Sequence, residues 1–406
     1  MKTVEDAAAE ILAGFEPLGE ERVPLLDALS RFASQDVLAH ADAPGFDNSA
    51  MDGYAVRAHE LAGARDDAPV TLPVRGESRA GVPSTAPLAP GSVMRIFTGA
   101  MMPEGADAVV LQEDTARDGD LVQLRFAPAP HAHVRARGSD LRAGHVAVPR
   151  GTALTPGAIG VLASQDVASV SVYRRPRVAI LSTGDELRDI GEPGRPGAIV
   201  NSNTYALAGQ VREAGADPWV LAPVVDRLDA ARAAIRQGLL ADVLVISGGV
   251  SVGDYDVVRE ALEAEGAPLS FWKIRMKPGK PVAFASKGRV PVLGLPGNPV
   301  SSWVTFELFV RPGLRRMLGD PTPARPRVTV RLAAPLQRSP GRTEFARARL
   351  RRDRDGLVAE LSSRQGSGSL PSLVAVDALV VLPAERERFE TDESLEAILL
   401  TTYPRA

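Results

Sequence analysis

Residues 242–256 read DVLVISGGVSVGDYD. The apolar run from Val243 to Ile246, bounded by turn-forming residues, reads as a buried strand. It runs into Ser247, Gly248, Gly249 and Ser251, then into Asp254 and Asp256. Glycines let the backbone approach an anion closely, and the N-terminus of a following helix offers unpaired N–H groups. Two carboxylates do not belong beside a phosphate unless a divalent cation lies between them. A plainer reading makes Asp254 a helix cap behind a glycine turn, and the stretch alone does not choose between the two.

The same layout recurs on both sides. RVAILSTG (177–184) is a strand meeting a turn that continues into Asp185 and Glu186, and VPVLGLPGN (290–298) is another. WVLAPVV (219–225) and PVAFAS (281–286) add strands, and helical periodicity is expected over about 203–214, 228–239, 255–265 and 300–317. Strands alternating with helices of this length predict a parallel sheet with helices on both faces. Ligands of such sheets sit beyond the carboxyl ends of the strands, so STGDE, SGGVSVGD and GLPGNP should converge on one rim.

Outside this central block the pattern changes. Residues 3–14 read as a helix with Val4, Ala8, Ile11 and Leu12 on one face, and 22–34 as a second helix. The stretch 41–57 is rich in turns. Short β-like runs follow near 69–75, 91–97, 108–112 and 120–126, closing with a linker at 127–134. From 325 onward short β runs return, and GSGSLPS (366–372) reads as a tight or functional loop. The expected fold is a multidomain α/β protein. Its parts are an N-terminal helical/mixed domain (1–45 with 139–175), an inserted β-rich domain (46–138), a central parallel α/β domain (176–324) and a small C-terminal β domain (325–406).

Composition narrows the function. The chain has 406 residues, 45% hydrophobic and 24% charged, with a formal net charge of -3. That balance argues against a general nucleic-acid binder. The absence of cysteine removes disulfides, cysteine zinc sites and thiol nucleophiles together, and suits a cytoplasmic protein. The acidic, amphipathic start lacks the features of a secretory leader, and no apolar run is long enough to predict a membrane span.

Several other stretches carry polar groups in rigid turns. FWKIRMKPGKP (271–281) sets Lys273, Lys277 and Lys280 around a Pro-Gly turn, a compact positive site for an oxyanion. GLPGNPVSS (294–302) presents Pro296, Asn298 and Pro299 at a helix start. HVRARGSD (133–140) offers Asp140, FTGAMMPEGADAV (97–109) offers Thr98, and FDNSAMDGY (46–54) offers Asp52. Apart from the lysine turn, for which the two readings balance, each alone reads as structure more readily than as function. None of the five histidines stands at a ligand spacing backed by another ligand, and there is no phosphate-binding loop of the GxxxxGK[ST] kind.

Taken in order, FDNSAMDGYAVR, TGAMMPEGADAVV, VRARGSD, STGDEL, NSN, SGGVSVGDYD, FWKIRMKPGKP, GLPGNPVSS and the C-terminal GRTEFARARL and QGSGSLPSLVAVDALVVLP resemble the molybdopterin molybdenumtransferases, the family that includes the E domain of gephyrin. The resemblance runs from about residue 40 to 385. It implies four domains, an elongated homodimer and a central pterin-binding domain. The implied reaction joins molybdate to adenylylated molybdopterin with a divalent cation, usually Mg2+: the dithiolene takes the metal and AMP leaves. Other cofactor-biosynthesis proteins are possible partners; no nucleic acid or membrane is.

Carried over position by position, the resemblance links Asp52, Thr98, Asp140, Glu186, Asp226, Ser251 and Asp256 to catalysis. It gives Ser182, Thr183, Gly184, Gly248, Gly249, Lys273, Pro296, Asn298 and Pro299 to the pterin nucleotide. Lys277, Lys280, Arg347 and Ser367 would form the molybdate site, and Glu186, Asp254 and Asp256 would hold the cation. Ser367 is preferred to Ser369 in its loop, and position 377 is Asp where many relatives carry Asn. A dianionic oxyanion calls for fixed cations, and a phosphoanhydride for a metal held by carboxylates, so the division is chemically coherent. With no cysteine in the chain, the ligand's own sulfurs must supply the soft donors. A molybdopterin adenylyltransferase is the first alternative, since it shares the central domain, but it has no use for the flanking motifs. A scaffold of the gephyrin type is the second, and it would not need the acidic turns or the lysine turn.

Overall fold

The computed structural model describes residues 1–249 and 257–401. The chain folds as two compact units, one made of Met1–Ser34, Gly151–Thr155 and Ser171–Ala406, the other of Gln35–Arg150 and Pro156–Val170. The second unit contains the whole 46–138 stretch.

The first unit is built on a six-stranded sheet. Its order is Asp217–Val220, Arg177–Ser182, Val243–Ser247, Val290–Leu295, Pro281–Lys287 and Leu269–Lys273. The first four strands are parallel, as expected. The last two are not: Pro281–Lys287 runs antiparallel to both of its neighbours. The cause is the connection. Only Gly288 and Arg289 separate it from Val290, a two-residue turn that can only reverse the chain.

Every residue of Val243–Ser247 is buried, because the sheet is covered on both faces. Alternate side chains go to opposite cores. Val243, Val245 and Leu293 pack with Leu207 and Val211 of the helix Ser202–Glu213. Leu244 and Ile246 pack with Ile235 of Leu228–Gly238 and Val258 of Val257–Ala264. Each fully buried aliphatic side chain stabilises by roughly 1.5–3 kcal/mol.

Two elements depart from the sequence reading. The single helix expected over 300–317 is broken into Pro299–Thr305, a π turn at Phe306–Val310, and Arg311–Met317. Pro312 has no N–H to donate back into the helix, and the wider turn accommodates that. The helix expected over 22–34 is instead a strand, Glu20–Pro24, followed by a short 3-10 turn, Leu25–Ala28. Pro24 again interrupts the helical ladder, and within the 3-10 turn only Ala28 is buried. The first helix is present as Val4–Ala13, capped by the Thr3 hydroxyl, which accepts from Asp6 N–H at 3.1 Å.

The C-terminal strands close on themselves. Thr343–Asp353 pairs with Gly356–Leu361 on one side and Ala378–Leu382 on the other, and Arg327–Leu332 with Ser394–Leu399 completes a small barrel. Met276–Lys277 adds to its edge in parallel, with Lys277 opposite Glu344.

The second unit has a six-stranded sheet in the order Ala108–Leu111, Gly53–Val56, Val93–Ile96, Val70–Ser78, Leu121–Leu124 and Thr115–Asp118. Gly53–Val56 lies inside the stretch read as turns. Gly53 permits it: a Cβ there would come 1.9 Å from the Val110 carbonyl oxygen.

Candidate functional site

In the parallel part of the sheet Ser182 is the register partner of Ser247, and Ser247 of Leu295, so three strands end level. Beyond their carboxyl ends the three turns enclose a cavity of about 450 Å³. Of the residues expected to hold the pterin nucleotide, Ser182, Thr183, Gly184, Gly248, Gly249, Pro296, Asn298 and Pro299 line it, and so do Glu186 and Asp226.

The turns are laced to one another. Thr183 N–H donates to the Ser247 carbonyl at 3.2 Å, and Gly248 N–H to that of Leu295 at 3.1 Å. Gly248 and Gly249 have φ of +93° and +65°, a region that favours glycine. The space demands it too: a Cβ on Gly249 would meet the Thr183 hydroxyl at 2.7 Å. Asn203, near the start of the Ser202–Glu213 helix, donates from its amide to Ser247 Oγ at 2.9 Å and to the Gly297 carbonyl at 2.8 Å. The Thr183 hydroxyl is buried and has no hydrogen-bond partner among the described residues, a polar atom left for a ligand in a cavity that it lines.

The cavity rim is acidic. Glu186 and Asp226 are both exposed there. Asp185 accepts from Asp226 N–H at 3.2 Å. Partial burial, then the nearby charges of Asp185 and Glu186, raise the Asp226 pKa. Carboxylates that repel one another in this way suit a hard cation. Among the described residues no group of three potential metal ligands is close enough to hold one. The expected set needed Asp254 and Asp256, and these, with Ser251, lie outside the described residues.

The cationic residues stand beside this cavity rather than in it. Lys280 is exposed and directly precedes Pro281, which lines the cavity, and Lys273 is Pro281's register partner. Lys277 lines a second cavity of about 290 Å³ with Arg338, Arg342, Glu344 and Gln365. Arg347 is wholly buried. Its Nη2 donates to the Arg364 carbonyl at 2.7 Å, while Nε and Nη1 have no partner among the described residues. Burial pushes its pKa down. Ser367 reaches the first cavity's edge through its backbone, its carbonyl accepting from Val300 N–H at 3.0 Å.

Asp52, Thr98 and Asp140 belong to the second unit. Asp52 accepts from both the N–H and the hydroxyl of Thr98, each at 2.7 Å, and these two bonds lower its pKa. Asp140 is paired with Arg135 and accepts from Ser139 Oγ at 3.3 Å.

Three family descriptions match the chain in order. Residues 2–165 match the MoeA N-terminal region (domain I and II), 179–316 a probable molybdopterin binding domain, and 329–400 the MoeA C-terminal region (domain IV). A protein of a Nostoc species named molybdopterin molybdenumtransferase is 40% identical over 370 residues, covering 89% of this chain and 85% of its own. One of Bacillus subtilis with the same name is 35% identical over 401 residues, covering 97% and 93%. The chain belongs to the molybdopterin molybdenumtransferase family. The crystal structure of a molybdopterin biosynthesis MoeA protein from Pyrococcus horikoshii OT3 superposes with a TM-score of 0.85 at 29% identity, covering 98% of this chain and all of that one.

Within this family frame, two residues went unassigned in the sequence. Asn203 ties two of the turns together, and the NSN stretch that carries it was the only signal. Glu344 lies in the second cavity, and nothing in GRTEFARARL set its carboxylate apart. Among the described residues no helix is long and apolar enough to cross a membrane.

Proposed function

We propose that this transferase inserts molybdenum from molybdate into adenylylated molybdopterin, releasing AMP. The single observation that carries the nucleotide half of this reading is the cavity at the level strand ends, with its glycine turns and its unpartnered Thr183 hydroxyl. Backbone that approaches within glycine distance suits a pyrophosphate. Thr183 and Asn298 would orient the nucleotide. Glu186, with Asp254 and Asp256, would hold Mg2+, which when bound supplies charge neutralisation at the phosphoanhydride. Asp226 would stand at the same rim, and Ser251 would position the pyrophosphate.

Lys277, Lys280, Arg347 and Ser367 would take molybdate. Nε and Nη1 of Arg347, without acceptors among the described residues, support this, because buried guanidinium donors left unsatisfied suit an oxyanion. Asp52, Thr98 and Asp140 would complete the catalytic set. We also propose a cytoplasmic homodimer and a finer organisation into the four domains expected from the sequence. The test is AMP release from adenylylated molybdopterin with Mg2+, with and without molybdate. Molybdate-dependent release supports the reading. Nucleotide binding without AMP release under either condition overturns it.

A further inference from the structure

Glu344 is buried, 6% exposed, yet its carboxylate faces a cavity and is surrounded by cations. Lys277 Nζ lies 3.1 Å from Oε1 and Arg338 Nη1 lies 3.5 Å from Oε2. The backbone fixes the first pair, because Lys277 and Glu344 are register partners in the ladder between Met276–Lys277 and the barrel. Arg347, three residues further along, lies on the opposite face of the same strand. The one carboxylate therefore offsets part of the charge of Arg338 and of Lys277, a proposed oxyanion ligand. A lysine held only for structure would not need a carboxylate at the edge of a cavity that also opens on Arg342 and Gln365.

We propose that Glu344 is a positioning residue of the oxyanion site, holding Lys277 in place and lowering the site's affinity for tetrahedral dianions to a level that permits onward transfer. This rests on the reading that Lys277 binds molybdate. An oxyanion arriving at Lys277 must share the ammonium with Glu344, and the carboxylate repels it. Removing that charge while keeping an acceptor for Lys277 should tighten binding of any small dianion, and release to the acceptor should slow.

The experiment uses the full-length protein and compares wild type with Glu344→Gln, measuring dissociation constants for molybdate and for sulfate by calorimetry at several salt concentrations. Glu344→Gln should bind both anions roughly tenfold more tightly at low salt, with a steeper loss of affinity as salt rises. Its kcat should fall, with the affinity for adenylylated molybdopterin unchanged. In a Lys277→Ala background the same change should have a much smaller effect. Unaltered or weaker anion binding by a folded Glu344→Gln overturns the proposal and leaves Glu344 a brace. If that variant does not fold, Glu344→Asp keeps the charge but draws it back from Lys277. It should bind molybdate more tightly than wild type, and weaker binding overturns the proposal. Lys277→Ala alone separates the two ideas: unchanged molybdate binding there removes Lys277 from the site, whatever Glu344 does.

Discussion

A Cβ placed on Gly248 would lie 2.6 Å from the carbonyl oxygen of Thr183. That approach brings the first two turns of the cavity into contact, and the obstacle is backbone rather than the tip of a flexible side chain. Gly248 also has φ of +93°. Gly248→Ala should therefore cost about 1–3 kcal/mol of stability and open the cavity, with turnover lost before the fold is. Thermal unfolding beside AMP release checks this, and wild-type values for both would remove Gly248 from the architecture of the site.

Asn203 lines the cavity and braces two of its turns. Asn203→Ala loses two hydrogen bonds and leaves the Gly297 carbonyl without that donor, a loss of about 1–3 kcal/mol. The expected result is about a tenfold or greater rise in the KM for the pterin nucleotide with the molybdate requirement unchanged. Asn203→Asp should be worse, because a carboxylate cannot donate to Ser247 or Gly297. Equal KM values for wild type and both variants would make Asn203 incidental.

Arg347 should separate stability from activity. Its guanidinium is buried with two nitrogens unpartnered among the described residues, an arrangement that costs the folded state. Arg347→Met should unfold within about 1 kcal/mol of wild type, while molybdate-dependent turnover falls by an order of magnitude or more. A variant that keeps full molybdate dependence would exclude Arg347 from the oxyanion site.

Asp52 and Thr98 give a prediction in pH. Two hydrogen bonds from Thr98 hold the Asp52 carboxyl below its ordinary 3.8. The ionised form is favoured in the folded state, so the stabilisation is present above 3.8 and lost as pH falls through the lowered value. Thr98→Val removes the hydroxyl donor and leaves the N–H. The Asp52 titration, followed by carboxyl NMR shifts, should then move up toward 3.8 without passing it. A titration that stays in place would show that the hydroxyl bond contributes nothing in solution.

The central sheet was legible because its strands are buried on both faces. Val243 to Ile246 reads as unbroken apolar residues, and the turns that follow carry glycines at positions where the backbone needs them. Strand direction was not legible in the same way. PVAFAS has the same composition whether it runs with its neighbours or against them, and only the two-residue spacing before Val290 carried the sign. Gly53–Val56 escaped because four residues that include a glycine make no periodic signal. The helix read into 22–34 is absent, and the fold leaves the leucines of that stretch partly or largely exposed, Leu26 at 83% and Leu29 at 48% among them. At the site, small residues in turns announced themselves. Asn203 and Glu344 act from within regular elements, where a polar side chain looks like any other surface residue until its partner is known.

The two-residue ladder between Met276–Lys277 and Thr343–Glu344 has a consequence for how portable the parts of this protein are. The lysine turn is covalently continuous with the central sheet but is hydrogen-bonded to the barrel, while Arg347 and Ser367 come from the barrel's own stretch of chain. A chimera that exchanges residues 325–406 with those of a distant relative would import half of the proposed anion site and abandon the other half at a mismatched seam. The exchangeable module is the barrel together with residues 274–281, a unit discontinuous in sequence.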